Sequence, residues 1–257
     1  MKKVLGILLA LALALGMFSV GASAAAKSSD TVLVLDYSGS MDGEPLANLK
    51  EAAVIFCEGI ATAPGTNRVA IVIYDDEIQF QGFTQDLSKM RTFINDTYAG
   101  GRTNISDALK KAGELMSTSS ADVKYVLLMT DGMPNEGSYV ESGKYTSADH
   151  LCYPYANAAY NAAVDLWSSC HVYTLGYFHS LDGEDKAFGE RFLKDMENDG
   201  YWEVIDPENI QSAFDEILDE MIDEMQITTE RWWEILPSWL QWILRWLLGG
   251  WLWMDLF

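Results

Sequence analysis

One carboxylate and two hydroxyls alternate in Asp36-Tyr37-Ser38-Gly39-Ser40, directly after the apolar run Thr31 to Leu35. Farther along, Gly100-Gly101-Arg102-Thr103-Asn104 leads a hydroxyl into a helical pattern, and Thr130-Asp131-Gly132 follows a second apolar run, Val123 to Met129. Taken singly, each segment reads as a cap or a turn, because Asp, Ser and Thr accept hydrogen bonds from free helix N–H groups and Thr-Asp-Gly turns the chain. Taken together they supply oxygen donors only, from hydroxyls and carboxylates. Such a set suits a hard divalent cation. The candidate metal ligands are Asp36, Ser38, Ser40, Thr103 and Asp131.

Other chemistry is poorly served. His150, His171 and His179 fall in no H-E-x-x-H motif, and no C-x-x-C accompanies them, so they read as surface or loop residues. Ser38 lacks the G-x-S-x-G setting of an activated serine, and no histidine belongs to the three segments above. Asp75-Asp76-Glu77 reads as a solvated hairpin turn. No nucleophile–base pair emerges, and the chain is not expected to be an enzyme.

The elements that must position the five ligands alternate along the chain. Continuous apolar runs at 31–35, 68–74, 123–129 and 171–177 have the look of strands buried on both faces. Amphipathic helices are expected over 45–60, 86–98, 106–116, 155–168, 185–197 and 207–225, and a short last strand over 201–205. The tight Asp75-Asp76 link makes 77–83 an antiparallel edge strand, and 135–149 is a long polar loop. This order implies an α/β fold: a doubly wound, mostly parallel central sheet with helices on both faces. Ligands of such sheets bind beyond the carboxyl ends of the strands, where Asp36 and Asp131 sit.

With that order in place, Asp36-x-Ser38-x-Ser40, Thr103 and Thr130-Asp131-Gly132 resemble the metal-ion-dependent adhesion site of von Willebrand factor type A domains. The resemblance covers residues 30–225. It implies that Ser38, Ser40 and Thr103 bind the metal through their hydroxyls, with Asp36 and Asp131 acting mostly through water or from behind. It implies Mg²⁺ or Mn²⁺ ahead of Ca²⁺, and a protein partner whose exposed Asp or Glu carboxylate fills the coordination position left open. Neutral hydroxyls leave the cation's charge unquenched, which is what such a partner needs.

The two ends are of another character. Lys2 and Lys3, the apolar stretch Val4 to Val20 and Ala22-Ser23-Ala24 form the three-part pattern of an export signal over residues 1–24. The expected location is therefore outside the cytoplasm. Without those two lysines, 15 basic residues face 38 acidic ones, a net charge of −23. Such a surface repels nucleic acid, which is excluded as a partner. Residues 230–257 hold seven of the nine tryptophans, and Glu230, Glu234, Ser238, Gln241 and Arg245 form one narrow polar stripe at helical spacing. Tryptophan favours the headgroup level of a bilayer, so this tail is expected to associate with membrane. The alternative function is then an assembly or regulatory subunit whose tail oligomerises or perturbs the bilayer. Three cysteines make no disulfide framework: Cys57 reads as a core residue, and a helix of about 20 Å separates Cys152 from Cys170.

Overall fold

The computed structural model describes residues 27–225; the expected export signal and the tryptophan-rich tail lie outside them. Six strands form one sheet: β1 (Ser29–Asp36), β2 (Asn67–Tyr74), β3 (Ile78–Thr84), β4 (Val123–Thr130), β5 (His171–Tyr177) and β6 (Gly200–Val204). Their spatial order is β3-β2-β1-β4-β5-β6. All neighbours run parallel except β2 and β3, which pair antiparallel across the Asp75–Glu77 turn. The fold is the doubly wound α/β fold that the alternation implied.

Side chains of successive strand residues point to opposite faces, and both faces are covered. Leu33, Leu35, Ile71, Ile73, Leu127 and Met129 meet helices α1 (Glu44–Thr62), α2 (Leu87–Asp96) and α6 (Ile210–Met225). Val32, Val34, Ala70, Val72, Val126 and Leu128 meet α3 (Ile105–Ser117), α4 (Tyr153–Leu166) and α5 (Gly183–Met196). Every residue of β1 is buried. That is why its sequence shows no polar alternation: a strand covered on both sides has no solvent face to mark.

Several helix boundaries follow local chemistry. Asp86 caps α2 by accepting the N–H groups of Ser88 and Lys89 at 3.0 and 3.2 Å. The helix expected over 207–225 begins instead as a 3₁₀ turn, Pro207–Asn209, and becomes α-helical from Ile210. The strand order turns direction between β1 and β4, whose outward neighbours are β2 and β5. The crevice at a parallel sheet's switch point therefore opens beyond Asp36 and Thr130.

Candidate metal centre

Asp36 is the last residue of β1 and is wholly buried. Its Oδ1 accepts the N–H of Ser38 at 2.8 Å, which curls the chain back into the 3₁₀ turn Gly39–Met41. Its Oδ2 accepts the hydroxyls of Thr130 at 2.6 Å and Tyr74 at 3.2 Å. Three strands thus lock one carboxylate. Ser38 stands where it would cap the 3₁₀ turn, yet its hydroxyl makes no capping bond. That hydroxyl lies 3.1 Å from Ser40 Oγ, and Ser40 Oγ donates to Asp131 Oδ1 at 2.9 Å. The remaining oxygen, Asp131 Oδ2, is buried and has no hydrogen-bond partner among the described residues.

Thr103 comes to the same end of the sheet on a loop stitched to the serine turn. Gly39 N–H donates to Gly101 O at 3.2 Å, and Gly100 N–H to Tyr37 O at 2.8 Å. Gly101 has φ +63°, and a Cβ there would stand 2.8 Å from Asp76 Cγ, so only glycine lets the loop close on Asp76. Asp76 Oδ1 in turn accepts Arg102 N–H at 2.6 Å. Asn135 clamps Thr103 from the β4 side: its Oδ1 accepts Thr103 N–H at 2.9 Å, and its own N–H donates to Thr103 O at 3.1 Å. The cap of α3 is Asn104, whose Oδ1 accepts Asp107 N–H at 3.2 Å. Thr103 is therefore not the cap, and its side chain is left for another use.

The electrostatics are one-sided. Burial raises the Asp36 carboxyl above the ordinary range despite its hydrogen bonds. Burial, followed by the nearby Asp36 charge, pushes Asp131 up to about 7. Among the described residues no lysine or arginine forms an ion pair with either. Two buried carboxylates, an orphaned oxygen and the hydroxyls beside them make a hole for positive charge, and the donors are the hard oxygens that Mg²⁺ prefers. Asp36, Ser38, Ser40 and Asp131 are linked directly, and Thr103 through its loop.

Sequence reasoning passed over the residues that hold this set in place. Tyr74 and Asn135 carried no local signal, because both act from elements remote in sequence. Asp76, read as part of a solvated turn, is what closes the Gly100–Thr103 loop. The histidines are also less peripheral than expected. His150 Nδ1 lies 2.9 Å from Cys152 Sγ and its Nε2 lies 3.0 Å from Asp185 Oδ1, the outline of a nucleophile, base and orienting acid. However, Nδ1 already accepts Cys152 N–H at 3.1 Å, and burial pushes the Cys152 thiol up to about 12. The sulfur stays protonated, so this trio lacks the activated thiolate that such chemistry requires.

Residues 31–133, which contain all five candidate ligands, match the family model described as von Willebrand factor type A domain. That stretch is similar to the von Willebrand factor type A family. The minor fimbrium subunit Mfa5 of Porphyromonas gingivalis is 34% identical over 131 residues, covering 48% of this chain and 10% of that protein. Human inter-alpha-trypsin inhibitor heavy chain H4 is 28% identical over 120 residues, 42% of this chain and 13% of that one. The chain thus spans only about a tenth of the length of these curated relatives. Among solved structures, the type A domain of Mfa5, described as a type V pili tip protein, superposes with a TM-score of 0.67 at 20% identity, covering 78% of this chain and 97% of that one. The PilB minor pilin of Streptococcus sanguinis gives 0.67 at 16% identity, with 79% and 63% covered. At such identities the likeness is one of fold. Among the described residues, no helix is long and apolar enough to cross a membrane.

Proposed function

We propose that this chain is an exported, extracytoplasmic adhesion or protein-binding module of the type A kind. In this reading a Mg²⁺ ion, or Mn²⁺, held by Asp36, Ser38, Ser40, Thr103 and Asp131 bridges to an Asp or Glu carboxylate on a protein partner. The observation that carries it is the buried, partnerless Asp131 Oδ2 beside an equally buried Asp36, with the Ser40 hydroxyl on Asp131 and the Ser38 N–H on Asp36. Two relatives support an adhesive setting by their descriptions, one a pilus tip protein and one a minor pilin. The ion would supply a Lewis-acidic contact for the partner's carboxylate. The chain's own work is to hold hydroxyls rather than further charges around it: Ser38 and Ser40 on a rigid 3₁₀ turn, Thr103 on a loop closed by Asp76 and Asn135. No bond is made or broken in this function, which is binding.

Residues 230–257 favour a second element of the same reading, association with a membrane, and an alternative role as an assembly or regulatory subunit. The test for the main reading is capture of partners from an extracellular extract on the immobilised protein, with Mg²⁺ and with EDTA. A partner retained only with Mg²⁺, and lost in Asp131→Ala, is the expected result. Identical capture in EDTA would defeat the metal bridge. Leakage of lipid vesicles by the isolated 230–257 peptide would favour the alternative.

A further inference from the structure

A second group of metal-ligating side chains lies at the other end of the sheet, where the parallel strands begin. His171 opens β5, Asp199 immediately precedes β6, and Glu224 occupies the last turn of α6. His171 Nδ1 lies 2.6 Å from Asp199 Oδ2, and its Nε2 lies 3.2 Å from Glu224 Oε1. The surroundings orient both acids. The Tyr125 hydroxyl donates to Glu224 Oε2 at 3.0 Å, and the Tyr173 hydroxyl faces Asp199. The Tyr125 ring also packs 5.4 Å from the imidazole.

Charge in this corner is unbalanced. Glu220, one turn before Glu224 on the same helix, faces both other acids; partial burial and then the charges of Asp199 and Glu224 raise its carboxyl. Two carboxylates therefore face one imidazole, with a third close enough to feel their charge. Among the described residues, no lysine or arginine forms an ion pair with any of them. The side chains of His171, Asp199 and Glu224 are 38%, 32% and 33% exposed, so an ion can enter from solvent.

We infer that His171, Asp199 and Glu224 form a second metal site, for a borderline cation of the Zn²⁺ type, which joins α6 to the sheet. One imidazole with two carboxylates is a ligand set suited to Zn²⁺ and poorly suited to Mg²⁺. One ligand atom from each residue lies within 4.8 Å of the others. Ligands at about 2.0–2.2 Å from Zn²⁺ stand about 3.4 Å apart, so the three side chains would draw together around the ion on binding. The ion would displace any proton from the ring nitrogen it takes, releasing it to solvent. Tyr125 would go on holding the second oxygen of Glu224, as partners behind a metal ligand do. This site is independent of the hydroxyl-rich crevice, which lies at the opposite ends of the strands and has no nitrogen donor.

The experiment titrates the full chain with Zn²⁺ by calorimetry in millimolar Mg²⁺, and with Co²⁺ by absorption spectroscopy. The expected result is one Zn²⁺ per chain, with affinity reduced at least ~tenfold in His171→Ala and in Glu224→Gln and unchanged in Asp131→Ala. The Co²⁺ spectrum should show no sulfur charge-transfer band, which separates this site from binding at a cysteine. Circular dichroism establishes that each variant is folded, and the isosteric Glu224→Gln keeps the test open if His171→Ala does not fold. Absence of Zn²⁺ binding, or equal affinity in the folded His171→Ala or Glu224→Gln protein, overturns the site and leaves a metal-free ion-pair clasp.

Discussion

At the scale of single residues, the crevice is a place where folding has been made to tolerate charge. The folded-state value of Asp131 is raised from 3.8 to about 7, so the stability associated with its neutral form is present below 3.8 and is lost as pH rises through about 7. At pH 7.5 the charge is therefore a cost to the cation-free fold. Asp131→Asn removes the charge at nearly constant shape. It should raise the cation-free stability by about 1–3 kcal/mol, seen as a higher Tm in EDTA, and abolish the further rise that Mg²⁺ gives the natural protein. A variant that melts lower in EDTA and still responds to Mg²⁺ would remove Asp131 from the site. Cys57 makes a separate prediction. It is 1% exposed, and burial pushes its thiol up to about 12, so at pH 8 it is neutral and shielded. Iodoacetamide should leave Cys57 unmodified in the native protein and label it once unfolded; native labelling at equal rate would contradict the burial.

At the scale of elements, the crevice depends on how one loop closes, and the fold on how its last helix docks. The loop Gly100–Thr103 is held by the left-handed Gly101 and by Asp76. Gly101→Ala places a Cβ against the Asp76 carboxyl and in a backbone region that costs about 1–2 kcal/mol for alanine. The loop should shift, weakening Mg²⁺ binding several-fold in calorimetry while circular dichroism stays native. Unchanged affinity would mean that Thr103 is not placed by this loop. The helix is α6, whose Phe214 meets Phe56 of α1 edge-on with ring centroids 5.5 Å apart. Both are fully enclosed. Phe214→Ala should cost about 3–5 kcal/mol in denaturant unfolding, because the cavity left between two packed helices cannot collapse. A loss below ~1 kcal/mol would show that α6 docks weakly.

At the scale of the whole molecule, α6 is the element that leads toward the tryptophan-rich segment, and its binding face is apolar while its outer face is acidic. Ile210, Phe214, Ile217 and Met221 are buried, whereas Asp215, Glu216 and Asp219 are exposed on the other side of the helix. Its place in the sequence, shortly before residues 230–257, makes α6 the candidate link between crevice and tail. A ligand that prefers one packing of α6 must, by reciprocity, be bound more tightly when that packing is favoured. Tethering α6 to α1 by an engineered disulfide should therefore change partner affinity between oxidised and reduced forms. If both forms bind equally, and removal of residues 230–257 also changes nothing, crevice and tail act separately.

Much of this protein was determined by sequence alone, and the reason lies in periodicity. Apolar runs such as Thr31 to Leu35 can only be strands covered on both faces, and the helices between them follow from 3.6-residue spacing and polar caps. The five candidate ligands stood out too, because hydroxyls and carboxylates recur at two strand ends and one helix start, where a cap or turn explains each segment singly but not all three together. What the sequence left open was which strands become neighbours. Only the tertiary structure sets β1 between β2 and β4, with Asp36 opposite Tyr74 and Leu35 opposite Met129, and thereby brings Tyr74 and Thr130 onto Asp36. Only there does His171 meet Asp199 and Glu224, residues 28 and 53 positions away, since long-range pairing of polar side chains leaves no periodic trace in a chain. Local order is written in nearest-neighbour energetics; the charge that two buried carboxylates share, and the clasp at the far end of the sheet, exist only once distant segments are packed together.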